Sequence, residues 1–119
     1  MEGNIHDIIS TEIASSPPEF RYYPANLTGS EGGAIQLSCS STANPKYIYP
    51  KISDWKKNGK PLVASKRITF ALGRLTINNV ILEDSGNYSC TLENTAGSST
   101  RSANVIVEGK YGSLWYFSI

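Results

Sequence analysis

Few residues in this 119-residue chain are of a type and spacing to do covalent chemistry. His6 is the only histidine and lies near the N-terminus, so no serine or cysteine has an imidazole base to activate it. With Cys39 and Cys90 assigned to a core, as argued below, a zinc set cannot be assembled. Gly32-Gly33 is too short to cradle a phosphate and reads as a turn before a strand. The adjacent carboxylates Glu83 and Asp84 are accounted for by a chain corner. The expectation is a non-enzymatic module with no cofactor, no metal and no catalytic residue.

What remains is the chemistry of attachment and surface binding. Asn26-Leu27-Thr28 and Asn87-Tyr88-Ser89 both match the acceptor triplet for an N-linked oligosaccharide; such triplets also arise by chance and mean nothing in the cytosol. Between Lys46 and Arg74 stand eight basic residues and one acidic, a net +7, against three basic and nine acidic elsewhere, a net −6. Lys46, Lys51, Lys56, Lys57 and Lys60 are therefore candidate contacts for a heparin-like glycan, drawn by summed field and counterion release. The alternative is that they keep the protein soluble and discourage edge strands from pairing. In Asn44-Pro45-Lys46-Tyr47-Ile48-Tyr49-Pro50, the side chains of Tyr47, Ile48 and Tyr49 either form a protein-binding tip or fold back to plug the core.

These residues need a scaffold, and the totals bound it. A chain of 119 residues, 39% hydrophobic and 18% charged, is one globular domain. A net charge of +1 implies no nucleic-acid partner. No apolar run approaches the roughly 20 residues that cross a bilayer, so membrane insertion by this segment is not expected. The N-terminus lacks the basic start and apolar stretch of a signal peptide; the chain reads as a fragment of a longer protein or as one that is not secreted.

Residues 1–17 read as a loose extension, 18–108 as the domain and 109–119 as an apolar tail, with Pro17-Pro18 marking the first boundary. Within the domain, short segments alternate apolar and polar residues at the spacing of an all-β sandwich. Ala34–Cys39 points Ile35, Leu37 and Cys39 to one face. Lys57-Asn58-Gly59-Lys60 predicts a tight type I′ hairpin, and Pro61 makes the strand after it short and peripheral. Gly86–Leu92 points Tyr88, Cys90 and Leu92 inward and Asn87, Ser89 and Thr91 outward. Arg74–Ile77 alternates likewise, and Val105 and Val107 are predicted core residues. The tail ends in Leu114-Trp115-Tyr116-Phe117-Ser118-Ile119, which either docks on a neighbouring domain, adds a strand, or marks an arbitrary end.

Cys39, Trp55 and Cys90 follow one another with the cysteines 51 residues apart, and the second lies in Asp84-Ser85-Gly86-Asn87-Tyr88-Ser89-Cys90. With Glu31-Gly32 to Cys39, Trp55 to Leu62 and Leu75 to Gly97, the chain resembles the intermediate-set (I-set) immunoglobulin family over about residues 18–108. The resemblance implies a Greek-key sandwich of two antiparallel sheets, a Cys39–Cys90 disulfide, a buried Trp55 and a tyrosine corner at Tyr88. It also implies an ion pair between Arg67 and Asp84. Two departures stand out: Ser53 occupies a position the family fills with an apolar residue, and the loop from Ser41 to Pro50 is long.

Such domains build adhesion molecules, receptors, secreted ligands and giant muscle proteins. The leading expectation is an extracellular module that binds another protein, alike or different. The alternatives are an intracellular cytoskeletal scaffold in the cytoplasm and a heparin-binding module of a secreted factor.

Overall fold

The computed structural model describes residues 16–41, 49–50 and 54–110. Among the described residues ten strands run in order: β1 Phe20–Tyr22, β2 Leu27–Ser30, β3 Ile35–Ser38, β4 Ser40–Ser41, β5 Trp55–Lys57, β6 Lys60–Pro61, β7 Ile68–Ala71, β8 Arg74–Ile77, β9 Gly86–Asn94 and β10 Gly97–Glu108. One 3₁₀ turn, Leu82–Asp84, precedes β9. The strands make a five-stranded sheet, β2-β10-β9-β5-β6, and a three-stranded sheet, β3-β8-β7, with a short β1-β4 ladder.

Period-2 alternation builds the core between the two layers. Ile35 and Leu37 from β3 and Leu75 and Ile77 from β8 face Trp55, Tyr88, Cys90, Leu92, Val105 and Val107 from β5, β9 and β10, all buried. Fully burying a side chain such as Leu75 or Ile77 contributes about 2 kcal/mol relative to leaving it in water. Cys39 and Cys90 are bonded to each other across this core, one from each layer. The bridge closes a loop 51 residues long. In the chain-entropy account it stabilises the fold by about 4 kcal/mol.

Two of the tight hairpins, β5–β6 and β7–β8, use positive φ at two successive residues, the geometry of type I′ turns. Asn58 and Gly59 join β5 to β6 at φ 51° and 82°, and Leu72 and Gly73 join β7 to β8 at 50° and 78°. Pro61 lies in β6 at the margin of its sheet, where its missing N–H breaks no ladder.

The sheets are not wholly antiparallel, as the resemblance implied: β2 runs parallel to β10, with Leu27 opposite Val105 and Ser30 opposite Glu108. The chain changes layers between β1, which pairs with β4, and β2. Buried Pro24 lies in that crossing. Lacking an N–H, it cannot continue the first ladder, and the segment after it adds to the opposite sheet instead.

Candidate functional site

The corner before β9 is held by a network of hydrogen bonds centred on Asp84. There the carboxylate of Asp84, 5% exposed, takes two hydrogen bonds from the Arg67 guanidinium, at 2.8 and 3.2 Å. The Ile81 N–H adds a third at 2.8 Å. Arg67 also donates to the carbonyls of Asn78 and Asn79 at 3.2 and 3.1 Å. The Tyr88 hydroxyl donates to the Asp84 carbonyl at 2.5 Å.

Burial pushes the Asp84 carboxyl up, but the Arg67 hydrogen bond, the Ile81 N–H and the nearby charges of Arg67 and Lys57 outweigh it and hold the group below its usual range. The hydrogen bond to Asp84 holds the Arg67 guanidinium above its ordinary value. Burial, reinforced by the Asp84 charge, pushes the Tyr88 phenol up to about 12. These groups are fixed in their charge states across physiological pH. They hold the corner.

The candidate contact residues are dispersed. Lys46, Tyr47, Ile48 and Lys51 lie outside the described residues, as does Ser53. Lys56 and Lys60 are exposed on β5 and β6. Lys57 is drawn into the fold: its ammonium donates to the Glu83 carbonyl and stands 6.0 Å from the centre of the Tyr88 ring. Tyr49 is partly exposed and borders an open groove of about 270 Å³ lined also by Pro50, Trp55, Phe70 and Leu72. Asn26 and Asn87 are both exposed, Asn26 just before β2 and Asn87 on β9 of the five-stranded sheet.

Two surface features had no obvious signal in the sequence. Arg101 on β10 stacks over Tyr23 and Phe20 at 4.4 and 5.9 Å from their ring centres, and Arg21 over Tyr22 at 5.4 Å. This arginine–aromatic cluster leaves Tyr22 55% and Tyr23 49% exposed. Leu72, at the β7–β8 turn, is 83% exposed in the left-handed region that glycine and asparagine favour. Pairings across strands create the first feature, so only the exposed run Arg21-Tyr22-Tyr23 hints at it in sequence. Among the described residues no cluster of three His, Cys, Asp or Glu side chains is placed to hold a metal ion, and no helix is long and apolar enough to cross a membrane.

Comparison with known proteins follows the same lines. The model of the immunoglobulin I-set domain matches residues 18–107. Human protogenin is 33% identical over 99 residues, 83% of this chain. The chain spans only 8% of that relative's length, and 7% of rat protein turtle homolog B, to which it is 32% identical. Among solved structures, extracellular domains 3–5 of Drosophila OTK share 33% identity at a TM-score of 0.67, covering 76% of this chain and 31% of theirs. The titin M3 domain shares 28% at 0.66, covering 79% of this chain and 99% of its own.

Proposed function

The chain belongs to the immunoglobulin I-set family, and from that premise we propose that it is a non-enzymatic protein-recognition module in the extracellular part of an adhesion molecule or receptor. The observation that carries this reading is the Cys39–Cys90 bridge, enclosed between the sheets with both residues no more than 1% exposed. Disulfides persist in oxidising compartments and are rare in the cytosol. The likeness to extracellular domains of Drosophila OTK supports the same setting. Binding is to another protein, a like or an unlike one. The exposed tyrosines Tyr22, Tyr23 and Tyr49 are the contact groups of choice, since tyrosine offers large contact area at low entropic cost.

Alkylation of the protein from its native source, before and after reduction, tests the setting. Cysteines that alkylate only after reduction support the extracellular reading. Free Cys39 and Cys90 overturn it and favour a cytoplasmic scaffold, the reading that the likeness to titin M3 supports. Heparin-like glycan binding rests on the lysines, of which Lys57 is engaged within the fold. Salt-sensitive retention on heparin, lost on charge reversal at Lys56 and Lys60, is its separate test.

A further inference from the structure

Four asparagines form a row across the outer face of the five-stranded sheet. Asn26 precedes β2, Asn104 lies on β10, Asn87 on β9, and Asn58 opens the β5–β6 turn; all are exposed. Three hydrogen bonds through their side chains join them. The Asn104 N–H donates to Asn26 Oδ1 at 2.8 Å, Asn87 Nδ2 donates to Asn104 Oδ1 at 3.0 Å, and the Asn87 N–H donates to Asn58 Oδ1 at 2.8 Å. The row therefore links both oligosaccharide acceptor triplets through the one residue Asn104.

The triplets sit in unlike places. Asn26-Leu27-Thr28 begins an edge strand paired on one side only, with β10, and Thr28 is exposed. Asn26 is held by its Oδ1; its Nδ2, the atom that carries an oligosaccharide, has no hydrogen-bond partner among the described residues. Asn87-Tyr88-Ser89 lies in a strand flanked on both sides, by Asn104 of β10 opposite Asn87 and Lys57 of β5 opposite Tyr88. Its Nδ2 is the donor to Asn104. Its middle residue, Tyr88, is 1% exposed and its hydroxyl closes the corner on Asp84.

We infer that this domain takes a single N-linked oligosaccharide, on Asn26, and that Asn87 stays unmodified as the centre of the asparagine row. The donor is a lipid-linked oligosaccharide diphosphate. Asn26 Nδ2 forms a C–N bond to the anomeric carbon, the C–O bond to the lipid diphosphate breaks, and one amide proton is lost. Because the sugar is carried by Nδ2, Oδ1 remains able to accept from the Asn104 N–H in the folded, modified domain. The same attachment at Asn87 would set the first sugar against Asn104 in the middle of the sheet. A glycan on Asn26 stands beside the open margin of β2, where bulk prevents strand-to-strand association. It also leaves the three-stranded sheet and the β7–β8 turn clear for a protein partner.

The inference rests on the extracellular reading, and its test separates the two. The full chain is produced behind a secretory leader in a glycosylating host. Its mass is taken before and after an amidase that converts a glycosylated asparagine to aspartate and so marks the site. One glycan is expected on Asn26, lost in Thr28→Ala, which spares the Asn26 side chain, and kept in Ser89→Ala. A glycan on Asn87, glycans on both, or none overturns the inference, because the leader enforces entry to the pathway. Free thiols in the native protein overturn the extracellular reading alone and leave this result untouched.

Discussion

The hydroxyl of Tyr88 is 2.5 Å from the backbone carbonyl of Asp84, whose side chain in turn grips Arg67 at 2.8 Å. One residue, Asp84, thus ties strand β9 to the chain entering it and to the turn before β7. That tie anchors the start of β9, on whose outer side Asn87 of the asparagine row lies. Asn87 lies immediately before Tyr88, so its outward direction is set by the inward direction of its neighbour.

The Tyr88 phenol, raised to about 12 in the fold, gives the domain an alkaline limit. A folded-state value above the unfolded one, about 10, means that its contribution is fully present below pH 10 and is lost as pH rises through 12. The two-unit difference corresponds to roughly 3 kcal/mol. Tyr88→Phe should lower stability at pH 7 by about 1 kcal/mol through loss of the hydroxyl's bond while flattening the decline between pH 10 and 12. Denaturant titrations of both proteins across that range measure it; equal alkaline slopes would exclude Tyr88 as the cause.

Asp84 sets the acid limit with the opposite sign. Its carboxyl titrates below its usual range in the fold, so its contribution is present above about pH 4 and is lost as pH falls through the folded value. Arg67→Met leaves a buried carboxylate without its partner and should cost about 2 to 3 kcal/mol at pH 7. That is below the 3 to 5 kcal/mol typical of a fully buried pair, because the Arg67 side chain is 33% exposed. In the variant, burial acts on Asp84 with less opposition, so its carboxyl should titrate at higher pH. NMR titration of the carboxyl carbon reads the shift directly, and an unchanged Asp84 titration would contradict the account.

The strands were legible in the sequence wherever one face is dry. Ile35, Leu37, Leu75, Ile77, Tyr88, Cys90, Leu92, Val105 and Val107 alternate with polar residues, and all are buried. The β2 segment Leu27-Thr28-Gly29-Ser30 has one apolar side chain and carries no such pattern, so neither its sheet nor its parallel direction could be read from it. The acceptor triplets at Asn26 and Asn87 are visible as triplets. Their meeting at Asn104 depends on the register of β2, β10 and β9, which a local pattern does not encode. The contact of Arg101 with Tyr23 joins residues of distant segments and is invisible for the same reason.

The two type I′ turns make an internal comparison. Asn58 suits its φ of 51°, since asparagine tolerates the left-handed region, but Leu72 adopts 50° with an 83% exposed side chain. Leu72→Asn should therefore stabilise the domain by about 0.5 to 1 kcal/mol, since little burial is lost. Chemical denaturation of the single variant decides it. If stability falls instead, the Leu72 side chain contributes packing to the fold that its exposure conceals.

The glycines of the same two turns should respond very differently to alanine. Gly59 and Gly73 have nearly equal φ, 82° and 78°, so the backbone penalty of about 1 to 2 kcal/mol is common to both. A Cβ on Gly59 meets nothing within 4 Å. A Cβ on Gly73 would lie 2.3 Å from the Cys39 carbonyl oxygen and 2.7 Å from Tyr49 Cδ1. Tyr49 can turn aside, but the Cys39 carbonyl accepts no such movement cheaply, because Cys39 is bridged to Cys90 and its N–H donates to the Gly73 carbonyl at 2.7 Å. Gly59→Ala should cost about 1 kcal/mol, and Gly73→Ala at least about 2 kcal/mol more, as overpacking against fixed backbone does. Thermal melts of the two variants, side by side, measure the difference. Equal losses would mean that the β7–β8 turn yields as a unit, and that the close approach of Gly73 to Cys39 is not what selects glycine there.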